Sequence, residues 1–356
     1  MKFTRSAIAA TIAITGALIS APAANSQDQK SVALMFDLTG RGDKSFNDAA
    51  AAGLDKAKAE FPTLKTTESV PSGADGDRAE RLKTVLAGKN GLVICIGFLW
   101  TSDCSKGAKA NPGVAFASID DNLSDQDEGA TKGAPLANAA GFTFAENEGS
   151  YLVGYIAGLK TKTNKVGFIG GVEIDLIKKF EAGFEAGAKA ANKKIKITQK
   201  YASQPPDFSG FTDVPKGKAL AAAMYKSGID VIYVAAGSTG NGAFIAAKES
   251  GKKPGTIYAI GVDSDQYQTI SQANGRDYIL SSMLKKVDVA TYNAIKAYVA
   301  GKPITGAQTL DLKAGGVDFS KSNTKLLDAK TVAKVDQVKK DVISGKIKVP
   351  TTPTRK

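Results

Sequence analysis

The sequence has no histidine, and only two of its 356 residues are cysteine. Those two shortages remove whole classes of chemistry. Without an imidazole, neither Ser-His-Asp nor Cys-His nucleophilic catalysis can be assembled, nor can a His-ligated zinc site. Cys95 and Cys104 are too few for a cysteine-rich metal site. There is no arginine-rich arm and no aromatic-basic motif of the kind that binds nucleic acid. The apolar stretch Ala7–Ser20 is too short to cross a bilayer as a permanent helix.

What is present begins with a basic start. Lys2 and Arg5 precede the apolar stretch, and Ala21-Pro22-Ala23 supplies a small-x-small cleavage pattern. Residues 1–24 therefore read as a secretory signal peptide. No cysteine lies near that site, so the expectation is a free, soluble protein of the periplasm without a lipid anchor. The chain has 47 basic against 35 acidic residues, a formal charge of +12. Lysine dominates and is spread along the chain, which reads as a solvated basic surface rather than a nucleic-acid face. Export makes a Cys95–Cys104 disulfide possible, and two inert buried thiols remain the alternative.

The length suits two α/β lobes. Val32–Phe36 reads as a strand, followed by the turn FDLTGRGDKSFND over 36–48 and an alanine-rich helix. Gly91–Leu99 is a continuous apolar run, expected to be a strand covered on both faces. Further strands are expected at Gly113–Ile119, Lys165–Gly170, Ile229–Val234, Tyr258–Val262 and Ile279–Leu284, alternating with helical segments. Asp37, Trp100, Asp120, Gly237, Asp263 and Lys285 each fall at or just past the C-terminal end of an expected strand. Open α/β sheets bind ligands at those ends, although any one such residue alone is more often a turn or cap residue.

Two glycine-rich stretches fail as nucleotide motifs. In GRGDKS, the glycine required before Lys44 of a phosphate loop is Asp43, and its first glycine is Leu38. GSTGNG at 237–242 lacks dinucleotide spacing, so no cofactor is expected. Phe46 and Phe211 stand in otherwise polar turns, either folded into the core or offered to a planar ring. Carboxylates such as Asp37, Asp120 and Asp263 suit ligand hydroxyls, because their oxygens only accept hydrogen bonds. The set describes a neutral, hydroxylated, partly aromatic ligand and disfavours a phosphorylated one.

FDLTGRGDKSFND, SID at 118–120, FIGG at 168–171, FEAGF at 180–184, AAGSTGNG at 235–242, IGVDSDQ at 260–266 and SMLKKVD at 282–288 together resemble the basic membrane protein family. These are substrate-binding proteins of ABC importers, with purine nucleoside receptors among them. The resemblance spans about residues 31–320. It implies the type I periplasmic binding protein fold, two doubly wound parallel-sheet lobes joined by three crossovers and closing on a ligand cleft. It implies a monomer that delivers its ligand to ABC transporter permease subunits and has no catalytic role. Carried over by motif, Phe46 stacks on the base with Asn47 beside it, and Asp37 lies near the base. Asp120, Asp263 and Lys285 hold ribose hydroxyls, Gly237 allows close approach, and Phe211 is the second stacking ring, with Phe208 as its competitor. Many relatives carry a lipid-attached N-terminal cysteine that this chain lacks. Asp175 stands where relatives often have proline. The expected division is 25–142 with 266–303 for the first lobe, 143–265 with 304–320 for the second, and 321–356 as a C-terminal helix and tail. A sugar receptor of the same fold and an exported nucleoside hydrolase using metal-held water are the rival readings.

Overall fold

The computed structural model describes residues 29–72, 77–124 and 133–354; the expected signal peptide lies outside them. Lobe one is built from β1 (Ser31–Met35), α1 (Phe46–Glu60), β2 (Lys65–Ser69), α2 (Arg78–Ala87), β3 (Leu92–Ile96), α3 (Thr101–Ala110), β4 (Ala115–Ile119) and β5 (Ala139–Phe144). The chain then crosses to lobe two. That lobe contains α4 (Glu146–Lys160), β6 (Lys165–Val172), α5 (Asp175–Ala191), β7 (Lys196–Ser203), α6 (Val214–Lys226), β8 (Val231–Ala235), α7 (Asn241–Glu249), β9 (Tyr258–Asp263), α8 (Gln266–Thr269) and β10 (Ile279–Lys285). A second crossing returns the chain for α9 (Val287–Val299) and β11 (Gly306–Leu310), and a third takes it back for β12 (Val317–Phe319) and α10 (Ala329–Ile343).

Each lobe carries one six-stranded sheet, ordered β11-β5-β4-β3-β1-β2 in the first and β12-β10-β9-β8-β6-β7 in the second. The pairings are parallel except for β12, which runs antiparallel to β10. Central strands are apolar on both faces because helices cover both: β3 (LVICI) and β8 (VIYVA) are buried throughout. Edge strands show the opposite character. In β7, KITQKYAS, exposed and half-buried positions alternate, and its lysines discourage edge-to-edge pairing.

The expected lobe boundaries differ from the structure in two segments. Segment 266–303 is split, because β10 belongs to the second sheet while α9 packs on α1 in lobe one. Segment 304–320 is split too, since β11 pairs with β5 and β12 with β10. The cause is chain exchange. β11 completes the edge of the first sheet beside β5, and β12 the edge of the second beside β10. The three crossings are tied side by side: Ala145 N donates to Leu310 O at 3.1 Å and Lys286 N to Gly316 O at 2.8 Å. Glu148 accepts from Leu312 N at 2.9 Å.

In lobe two, α4 and α5 approach so closely that glycine is required. A Cβ on Gly154 would lie 2.2 Å from Phe184 O. No helix among the described residues is long and apolar enough to cross a membrane.

Candidate functional site

The C-terminal ends of the two sheets face one another across a single cavity with about 630 Å³ of unfilled space, counted out to its mouth. Asp37, Phe46, Asn47, Asp120, Phe211, Gly237, Asp263 and Lys285 all line it.

The turn after β1 is organised by Asp43. Its carboxylate accepts from the backbone N–H groups of Ser45 (2.8 Å), Asn47 (2.8 Å) and Asp48 (3.0 Å). These include amides of the first turn of α1, which have no partner inside the helix. Asp48 returns the arrangement by accepting from Gly42 N and Lys44 N. Asn47 accepts from Asp37 N at 3.0 Å and donates to Asp43 and Thr39. The Asn47 amide thus holds the turn together at the cavity wall. Arg41 stays outside, bridging Asp55 and Glu68.

At the hinge end the buried Lys285 Nζ sits 2.5 Å from Asp120 Oδ1 and 3.2 Å from Glu146 Oε1. It also lies 5.3 Å from the ring centre of Phe46, 5.1 Å from Phe144 and 5.5 Å from Phe180. Burial alone would push this ammonium down, but Asp120, Glu146 and Asp263 outweigh it and hold the pKa above the usual lysine value. Glu146, fully buried, is pushed up by desolvation and by Asp120, against the pull of Lys285 and Lys179. Asp120 comes from lobe one, and Lys285 and Glu146 from lobe two, so the cluster spans the seam.

Asp37 and Asp263 are both raised from 3.8 to about 7, chiefly by burial. Arg78, 3.7 Å from Asp37 Oδ1, opposes the shift at Asp37. Lys285 and the Ser45 hydroxyl, which donates to Asp263 at 2.5 Å, oppose it at Asp263. Asp37 Oδ1 has no hydrogen-bond partner among the described residues. A buried acceptor without a donor is costly, so the cavity presents acceptors to whatever enters.

The lobes meet directly. Besides Ser45 with Asp263, Ser264 Oγ donates to Ser45 O at 3.0 Å and Asn241 Nδ2 to Asp43 O at 3.0 Å. The structure is therefore the closed arrangement.

Some expectations change here. Trp100 is fully buried, its indole donating to Phe36 O at 2.8 Å, and it does not line the cavity. The reason is that β3 stops at Ile96, and Gly97, at φ +96°, turns the chain into a short 3-10 segment over Phe98–Trp100. A strand through Leu99 would have left the indole at the strand end. Between the two competing rings, Phe211 lines the cavity and Phe208 does not. Asp175 is exposed at the start of α5, beside Lys178. Cys95 and Cys104 form a disulfide between β3 and α3. Residues not foreseen in the wall include Asp43, Phe98 and Phe180. The rule of strand ends, applied to β6, points to Phe180 in the first turns of α5. Phe98 was hidden inside the apolar run.

Among the described residues, no group of three or more His, Cys, Asp or Glu is placed to hold a metal ion.

Comparison with known proteins agrees with this geometry. The family described as Bmp, ABC transporter substrate-binding protein PnrA-like, matches residues 30–353. The chain belongs to the Bmp family. A Listeria monocytogenes protein named CD4+ T-cell-stimulating antigen is 35% identical over 364 residues, covering 96% of this chain and 97% of that protein. A Lactococcus lactis protein named ABC transporter nucleoside-binding protein BmpA is 36% identical over 328 residues, covering 89% and 88%. An ABC transporter solute-binding protein from Aeropyrum pernix superposes with a TM-score of 0.75 at 28% identity, covering 92% of this chain and 94% of its own. The fold is that of type I periplasmic binding proteins, and Bmp members are substrate-binding proteins that bind small ligands and work with membrane permease components.

Proposed function

We propose that this Bmp protein is an exported, monomeric receptor that captures a purine nucleoside by closing its lobes and delivers it to an ABC permease. The observation that carries the reading is the pairing in one closed cavity of buried acceptors, Asp37 and Asp263, with the rings of Phe46, Phe180 and Phe211. Asp37 Oδ1, a buried acceptor without a donor among the described residues, suits a sugar hydroxyl or a base N–H group, and the rings suit a planar base. Four aspartates in the wall against one lysine disfavour a phosphate. The nucleoside-binding name of the Lactococcus relative supports the same choice. In this reading Phe46 and Phe211 stack on the base, and Asp120, Asp263 and Lys285 hold the ribose. Gly237, with backbone φ +54°, lets the ligand approach the main chain, and Asn47 keeps Asp37 in place. Residues 1–24 direct export to the periplasm.

Titration calorimetry of the mature chain tests this with inosine, guanosine, adenosine, uridine, hypoxanthine and ribose. Purine nucleosides should bind more tightly than the free base or ribose. Binding of ribose or another sugar alone would replace the nucleoside with a sugar. Release of free base from a bound nucleoside would replace the receptor with a hydrolase.

A further inference from the structure

Phe98 stands just beyond β3 in lobe one, with its side chain on the cavity. Across the cleft its ring lies 5.8 Å from that of Phe208 and 6.4 Å from that of Phe211, the latter edge-on at 66°. Both partners belong to the turn after β7 in lobe two. Phe208 is outside the cavity wall and Phe211 inside it, so the three rings straddle the seam.

The segment carrying Phe98 is anchored on several sides. Gly97 is in the left-handed region, and a Cβ there would lie 2.6 Å from Asp37 Oδ2, so the turn is locked against the carboxylate. Gly97 N donates to Ile119 O at 3.1 Å. Two residues on, buried Trp100 is fixed by its indole bond to Phe36 O. The Cys95–Cys104 disulfide brackets the whole segment. A ring on so fixed a turn acts as a stop on which the rings of the other lobe land. The polar contacts from Ser45 and Asp43 close the seam elsewhere, between the turn after β1 and the ends of β8 and β9.

We propose that Phe98 is the ligand-retaining lip of the cavity. It packs on Phe208 and Phe211 when the lobes close, sets the plane of the Phe211 ring edge-to-face, and bars the way out. Its contribution falls on the dissociation rate, since the contact forms after ligand has entered. This rests on the reading of the cavity as a nucleoside site.

The test is stopped-flow binding of inosine, followed by the fluorescence of Trp100, the single tryptophan of the chain. Phe98→Ala and Phe208→Ala should each raise the dissociation rate by about tenfold, with the association rate within about twofold of wild type. The double variant should be no faster than the faster single one, because both remove the same contact. Phe98→Leu, which keeps apolar volume without the ring, should fall between wild type and Phe98→Ala and decides the matter should the alanine variant not fold. Unchanged dissociation in Phe98→Leu and Phe208→Ala would overturn the lip, as would equal effects on association. Calorimetry on the wild type separates the two ideas. No inosine binding there removes the nucleoside reading and the lip with it, whereas wild-type binding with unaltered variant off-rates removes the lip alone.

Discussion

Lys285 is the residue on which the cavity depends most. It is the cation shared by Asp120, Glu146 and Asp263, and it is buried with them. Removing one partner from such a cluster leaves uncompensated charge in a low-dielectric site, at about 3–5 kcal/mol. Lys285→Met should therefore lower unfolding stability by about that amount at pH 7. At pH 5 part of the loss should return, because without the ammonium the neighbouring carboxyls are pushed further up and take protons. Urea unfolding at the two pH values checks this, and an equal loss at both would mean that the carboxyls are not the cause. Phe46 belongs to the same scale but a different effect. Its ring lies beside the ammonium and on the cavity, so its loss removes a stacking face rather than a charge. Stacking on a base contributes roughly 1–3 kcal/mol. Phe46→Ala should weaken inosine binding by about one to two orders of magnitude in calorimetry.

At the scale of elements, packing between helices is where small changes should be least tolerated. Gly154→Val in α4 places atoms onto the Phe184 backbone of α5, and neither helix can yield without moving the other. The expected loss is about 3 kcal/mol. Gly113→Ala, which meets nothing within 4 Å, should stay within about 0.5 kcal/mol of wild type. Chemical denaturation of the pair separates backbone approach from a general effect of losing glycine. Elements were also what the sequence made most legible. Alternating apolar runs and helical segments disclosed the two doubly wound lobes, and the rule of strand ends led to Asp37, Asp120, Gly237, Asp263 and Lys285, which surround one cavity. Two things stayed hidden for physical reasons. An apolar run does not show where it bends, so Gly97 inside GLVICIGFL concealed both the burial of Trp100 and the exposure of Phe98 to the cleft. Nor does a local pattern show which sheet edge a late strand will cover. β11 crosses to the edge of the first sheet beside β5 and β12 returns to the edge of the second beside β10, pairings set by partners far away in the chain.

For the whole molecule, closing the cavity over its carboxyls has an electrostatic cost that depends on pH. Asp37 and Asp263 are held at about 7 here, and Asp43 is raised as well. Opening the lobes returns such groups to water and toward their ordinary value of 3.8. The closed form therefore binds protons more tightly than the open one. The sign follows by linkage: the proton contribution to closure is fully present below about pH 3.8 and is lost as pH rises through 7. Between those values, each unit of rising pH shifts the closed-to-open ratio by about tenfold per carboxyl. Lys285, Arg78 and Asp120 face the same space, and the two cations temper the effect without cancelling it. A ligand whose hydroxyl and N–H groups donate to the carboxylates removes the cost, because the ionised form then has its hydrogen bonds. Empty protein should thus be more extended at pH 8 than at pH 6, and inosine should compact it at pH 8. Small-angle scattering of the mature chain at both pH values, with and without inosine, reads this as radius of gyration. Equal radii for the empty protein at the two pH values would show that Asp37 and Asp263 do not oppose closure. A radius at pH 8 that inosine leaves unchanged, when calorimetry shows it bound, would mean that the lobes do not close around their ligand.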